Sequence, residues 1–246
     1  MESEKQTVKV EIFGERCIWP ESHRHSFRHN EYLNEGTFNF EEGKMYGILG
    51  EHGEGGGGIS WLLSGRDVIR DEKITVFGKE YKEGETVEEG WYLGEGIPGM
   101  DKTARKEISA ALKMSKSSLS VQDIVEKFHL TEERLDVKVR YHSWELWRLS
   151  AAIGYALGKK IFCFPAIDTY MLIEIVVNTA FYIYVEKLRR EGCILLLPSS
   201  NREILESLAD EIIELNNPRF RDLSQFHEIV SSYKEGNIWY QWAVDD

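Results

Sequence analysis

Basic charge, cysteine and long apolar runs are all scarce in this chain. Thirty Lys and Arg stand against forty-two Asp and Glu, a net charge of −12, and there is no long basic run. The surface therefore lacks the positive field that neutralising a nucleic acid's phosphates requires. The same deficit opposes direct docking on anionic lipid, so any attachment to a membrane is expected to run through a protein. The three cysteines, Cys17, Cys163 and Cys193, are far apart, odd in number and without paired spacing. That excludes a disulfide framework or zinc ribbon and predicts buried free thiols. No apolar run is long enough to span a bilayer. The most apolar helix candidate, "MLIEIVVNTAFYIYVEKL", is interrupted by Glu174 and Asn178 and reads as a core helix. No positively charged, cleavable leader precedes the first strand pattern, so secretion is not expected.

What is present is a globular composition, 42% hydrophobic and 29% charged, in 246 residues, enough for one large domain with a subdomain. Short apolar runs alternate with helical patterns: "KMYGILG", a helix from Ile59, "KITVFG", "GWYLG", helices between about 103 and 157, "KIFCF", a long helix, "CILLLP", another helix, then "EIIELNN". This is α/β order. "CILLL" and "KIFCF" are apolar at consecutive positions, as parallel strands covered on both faces are. Earlier, "VKVEIF" and "GTFNF" read as antiparallel strands flanking an irregular segment rich in His and Arg. The expected layout is one domain over 1–246, with 1–43 and 74–93 forming an antiparallel β part and 100–157 a helical insertion. A tail after about 217 has no assignment.

The stretch "GEHGEGGGG", residues 50–58, occupies the turn between a strand and a helix, where backbone N–H groups cradle phosphates. Gly50, Gly53, Gly55, Gly56, Gly57 and Gly58 are the candidate cofactor-binding residues. The loop carries Glu51 and Glu54 but no lysine, and none occurs between Lys44 and Lys73. A lysine–phosphate contact at about 4 Å is worth on the order of 4 kcal/mol at an effective dielectric near 20. Its loss, with two glutamates added, turns attraction towards repulsion. Four successive glycines also disfavour a helical first turn by roughly 1 kcal/mol each relative to alanine, and an empty, mobile loop is the expectation.

The order and spacing of these pieces resemble the ATPase subunit of ABC transporters, from about Gly36 to Asn217. "TFNFEEGKMYGILG" is similar to the strand and turn entering that family's phosphate loop, and "LLSGRDVIRDEKITVFGKEY" to the stretch leaving it. "GWYLGEGIPGMDKTARKEI" resembles the segment with the glutamine switch, "GKKIFCF" the strand of the second phosphate site, and "GCILLLPSSNREILESLADEIIELNN" the histidine-switch strand with its helix. The resemblance implies an α/β fold of the P-loop NTPase type, mostly parallel, with an antiparallel β subdomain and a helical insertion.

The family's functional residues are replaced one after another. Its loop reads G-x-x-G-x-G-K-[ST]; Gly56 stands at the lysine and Gly57 at the Mg-binding hydroxyl. Pro165 and Ala166 stand at the Mg-holding Asp and the water-polarising Glu, leaving no base for hydrolysis. Asp168 is expected to cap the next helix. Glu95 falls at the switch glutamine, Ser199 at the switch histidine, and "YHSWE", around His142 and Ser143, at the signature motif, with Trp144 obstructing the close approach of a phosphate. The adenine-stacking aromatic falls among Trp19, Phe27 and Tyr32.

The resemblance thus implies a catalytically degenerate cassette with no catalytic or metal residues of its own. It would need no cofactor and bind ATP and Mg weakly. Its partners would be an integral-membrane permease and a second ABC ATPase subunit, with no nucleic acid and no membrane insertion of its own, on the cytoplasmic face of the cell membrane. The alternatives are a weak ATPase whose missing groups come from a partner, and a soluble interaction module unrelated to transport.

Other constellations read as structural. His23, His25 and His29 suit a solvated hairpin better than a metal site. Ser199 and Ser200 lack a G-x-S-x-G elbow, and "PSSN" instead caps a helix starting near Arg202, with Glu203 in its first turn. Trp144, Leu146 and Trp147 present an apolar surface suited equally to packing or to a protein contact.

Overall fold

A computed structural model describes residues 6–18, 30–94, 97, 99–217, 224, 227 and 231. The chain divides into two compact units, Met1–Leu215 and Asn216–Asp246. The first unit holds both sheets and their helices.

In chain order the elements are β1 (Thr7–Ile12), β2 (Arg16–Ile18), β3 (Glu31–Leu33), β4 (Gly36–Glu41), β5 (Met45–Leu49), α1 (Gly56–Leu63), β6 (Lys73–Val76), β7 (Lys79–Tyr81) and β8 (Gly90–Tyr92). Then come α2 (Ala104–Ser115), α3 (Val121–Phe128), α4 (Glu145–Ala156), β9 (Ile161–Cys163), α5 (Thr169–Asn178), α6 (Phe181–Arg190), β10 (Ile194–Ser199), α7 (Arg202–Leu208) and β11 (Glu211–Glu214). A parallel five-stranded sheet runs β11-β5-β10-β9-β8, an antiparallel four-stranded sheet runs β4-β1-β6-β7, and β2 pairs with β3 in a separate ribbon.

The continuous apolar strands behave as their sequence dictates. β5, β9 and β10 are buried at every position, because helices or the second sheet cover both faces. Residues of β1, β4 and β6 alternate instead, with Val8, Val10, Ile12, Phe40, Ile74 and Val76 turned into a shared core with α1. The antiparallel reading of 74–93 holds for β6 and β7 but not for β8, which pairs in parallel with β9 at the edge of the main sheet.

The helical insertion contains α2, α3 and α4. Thr103 caps α2 through Lys106 N, and Ser120 caps α3 in a reciprocal box with Asp123. The long apolar helix divides in two. Thr179 sends its hydroxyl back to Ile175 O at 2.7 Å and Ala180 takes φ +55, which ends α5 and restarts the chain as α6. Nor is this segment wholly core: Leu172, Ile175, Tyr184 and Leu188 are buried, whereas Tyr170, Val177 and Tyr182 are exposed, the last two lining a groove of about 310 Å³.

Candidate functional site

β5 lies between β10 and β11 in the parallel sheet and feeds the glycine loop directly. The loop is fixed to its neighbours by Gly50 N donating to Ser199 O at 3.2 Å. It is also closed on itself: Glu54 N donates to Glu51 O at 3.0 Å, and the Glu54 carboxylate returns to accept from Glu51 N at 2.8 Å. Glu54 is therefore 1% exposed and turned into its own loop, while Glu51 is exposed.

α1 begins at Gly56, three residues before the expected start, so glycines form its whole first turn. Packing offsets their helix penalty. A Cβ at Gly56 would lie 3.1 Å from Pro198 Cβ, and one at Gly57 would lie 3.0 Å from Ala166 Cβ and 3.1 Å from the Glu31 carboxyl carbon. At Gly55, the N-cap, φ is +109, and a side chain would also meet Leu33 Cδ2 at 2.7 Å and Tyr32 O at 2.9 Å. Any side chain at position 56 would require Pro198 to give way by a few tenths of an ångström.

The ribbon of β2 and β3 lies across this turn. Tyr32 N donates to Gly53 O at 2.8 Å, and Ile18 and Leu33 are buried against α1 and its neighbours. Arg16 ties β2 down through Glu72 at 2.6 Å and Asp67 at 2.9 Å. Because side chains alternate along a strand, Glu31 and Leu33 face the same way, inward. The Glu31 carboxylate enters the glycine turn, where Oε1 accepts from Gly53 N at 3.2 Å and Oε2 accepts from Gly55 N at 2.9 Å and Gly57 N at 3.2 Å. Glu31 is 1% exposed.

This corrects the expectation of an empty loop: the amides that would face a phosphate face a carboxylate of the same chain. The remaining cavity, lined by Gly50, Glu51, His52, Gly56, Pro198 and Ser199 among others, is about 10 Å³. That is room for about one water molecule. Sequence reading did not single out Glu31. The available signal was a glutamate in register with Leu33 in "EYL", on the face a strand buries, where an ionised side chain requires a partner.

The structure also places the remaining positions singled out in the sequence. β9 is followed by Pro165 and Ala166, and Ala166 packs towards Gly57. Asp168 caps α5, its carboxylate accepting from Met171 N at 2.8 Å, and Asn201 of "PSSN" caps α7 through Ile204 N at 3.0 Å, both as expected. Ser199 Oγ accepts from Asn201 N at 3.1 Å. Glu95, Trp19, Phe27, His23, His25 and His29 lie outside the described residues. Tyr32 is half-buried beside the loop, with its hydroxyl accepting from Asn30. Among the described residues no cluster of three His, Cys, Asp or Glu could hold a metal.

In the stretch expected to correspond to the signature motif, His142 and Glu145 are both buried. Glu145 opens α4 and its carboxylate accepts from Thr131 N at 2.8 Å and Arg148 Nη2 at 3.1 Å, with Arg134 at 3.3 Å and His142 Nδ1 at 3.4 Å. Burial alone would push its carboxyl up. The His142 ring 3.4 Å away and the hydrogen bonds from Thr131 N and Arg148 outweigh that and hold it at about 2. Trp147 turns inward, stacked on Phe164 at 6.1 Å between ring centroids and closing over Gly94, whereas Trp144 is 39% exposed. The thiols of Cys163 and Cys193 are buried, but Cys17 is exposed, contrary to expectation.

No protein-family model and no curated protein matches the chain. Solved structures do. One is an ATP-binding cassette of an ABC transporter in its ADP conformation, 11% identical over 93% of this chain and 98% of that one, with a TM-score of 0.59. A nucleotide-free ATP-binding cassette from an ABC transporter is 12% identical over 85% and 87%, and an ATP-binding subunit of an ABC transporter 16% identical over 85% of each chain, both with a TM-score of 0.57. Two sheets, a helical insertion and a glycine turn leading from an inner parallel strand into a helix thus give this chain the fold of an ABC transporter ATP-binding cassette.

Proposed function

We propose that this chain is a catalytically degenerate ATP-binding-cassette subunit of a membrane transporter, one that couples to or regulates a permease without efficient ATP hydrolysis. The observation that carries the reading is the pairing of a complete cassette fold with Ala166 against Gly57 at the point where hydrolysis needs a base and a metal-holding oxygen. An alanine methyl can neither accept a proton nor polarise a water molecule. With that chemistry gone, a scaffold of this kind transmits movement between a partner cassette and a permease. No helix among the described residues is long and apolar enough to cross a membrane, which fits attachment through such partners on the cytoplasmic face.

The chain is expected to co-purify from detergent-solubilised membranes with an integral-membrane protein and a second cassette. Vanadate-sensitive turnover in that complex should be lost when the partner's catalytic glutamate is replaced, and retained when Ala166 of this chain is replaced by a bulkier residue. Turnover that disappears when Gly53 or Gly55 of this chain is replaced by a bulky residue would favour the rival reading, a weak ATPase working through this chain's own loop with its missing groups supplied by a partner. Recovery without any membrane protein would favour a module detached from transport.

A further inference from the structure

A turn of backbone N–H groups at the start of a helix attracts anions, since its amides have no partner within the helix and the helix dipole places positive potential there. In this chain, the three inward amides of that turn already have one. The Glu31 carboxylate is bonded to Gly53 N, Gly55 N and Gly57 N, sits 1% exposed, and is held in place by the ribbon's own attachments: Tyr32 N on Gly53 O, Ile18 and Leu33 in the core, and Arg16 paired with Glu72 and Asp67. Glu54, the second buried acid of the turn, closes it from the other side through Glu51 N.

We propose that Glu31 is a built-in phosphate surrogate, an autoinhibitory side chain that occupies the anion seat of the loop and shuts it to nucleotide. The loop is thus a working backbone anion site whose ligand is covalently part of the protein. A diphosphate or triphosphate group can enter only by displacing a carboxylate that has an effectively unimolecular hold on the same donors and carries the same sign of charge. Nothing in this depends on docking to a permease or on the absence of a catalytic base. It predicts that the seat reopens when the carboxylate is removed.

The test is titration of the full chain with inorganic pyrophosphate, and separately with ADP, without Mg, following the backbone amides of Gly53, Gly55 and Gly57 by NMR. Wild type is expected to give no saturation up to about 10 mM, with these three amides unmoved, on the order of the weak non-specific limit. Glu31→Ala, which vacates the seat, is expected to bind pyrophosphate at least tenfold more tightly, with shifts centred on those amides. Where Glu31→Ala does not fold, the isosteric Glu31→Gln takes its place, and a threefold or greater tightening is expected because a neutral amide is the weaker competitor. Two results would overturn the proposal: wild type binding pyrophosphate through these amides as tightly as the variant, or a folded variant binding no more tightly than wild type.

Discussion

The buried carboxylate of Glu145 gives the most quantitative consequence of this structure. It is surrounded by Thr131 N, Arg148, Arg134 and His142, and its carboxyl is held at about 2 against an ordinary 4.5. Replacing it by Gln keeps the shape and one acceptor oxygen but leaves the Arg148 and Arg134 guanidinia without a counter-charge. The depressed acidity corresponds to about 3 kcal/mol of stability at neutral pH. Breaking a buried pair by removing one partner costs a similar 3–5 kcal/mol, so two routes agree on roughly 3 kcal/mol. The sign follows from the direction. A carboxyl whose folded-state value lies below its unfolded value stabilises the fold fully above about 4.5, and that contribution falls away as pH drops from there towards 2. Urea denaturation of wild type and Glu145→Gln at pH 7, 5, 4 and 3 should therefore give a gap of about 3 kcal/mol at pH 7 that narrows steadily below 4.5. A gap under about 1 kcal/mol at pH 7, or one that does not change between pH 7 and pH 3, would refute the assignment of this network as a net stabiliser.

Two further outcomes are expected. Trp147→Ala should destabilise the chain by about 3–5 kcal/mol, because the ring fills the space over Gly94 and stacks on Phe164, while Trp144→Ala should change stability by no more than about 0.5 kcal/mol; differential scanning calorimetry separates the two. Of the three thiols, only Cys17 should react rapidly with a disulfide reagent in the native protein, since burial pushes the Cys193 thiol up to about 12 and Cys163 higher still, and all three should react after unfolding.

How much of this was legible in the sequence depended on whether a signal was local. Parallel strands covered on both faces leave unbroken apolar runs, so β5, β9 and β10 could be read directly, as could the caps at Asp168 and Asn201. β8 was misplaced because a three-residue strand following two hairpin strands carries no mark of the sheet it joins; its partner, β9, is about seventy residues away. The break between α5 and α6 left no trace either. It depends on Ala180 at φ +55, a left-handed conformation at a residue other than Gly or Asn. The two faces were likewise indistinct in α5, where only Thr169, Glu174 and Asn178 interrupt the apolar and aromatic residues.

Glu31 and the glycine loop are the sharpest case, because the sequence contained both halves of the arrangement more than twenty residues apart. Read alone, a lysine-free turn with two glutamates means repulsion of anions and an empty seat. An empty seat, however, would leave buried amides at Gly53, Gly55 and Gly57 without acceptors, at about 1–3 kcal/mol each, a penalty that a natural fold rarely leaves standing. A carboxylate at 1% exposure carries a desolvation penalty of its own, which three N–H donors and a helix N-terminus offset. Each half is unfavourable without the other and stable with it. Without a lysine the loop lacks that attraction for an external phosphate, yet its backbone geometry still requires an anion, and that requirement is met from β3.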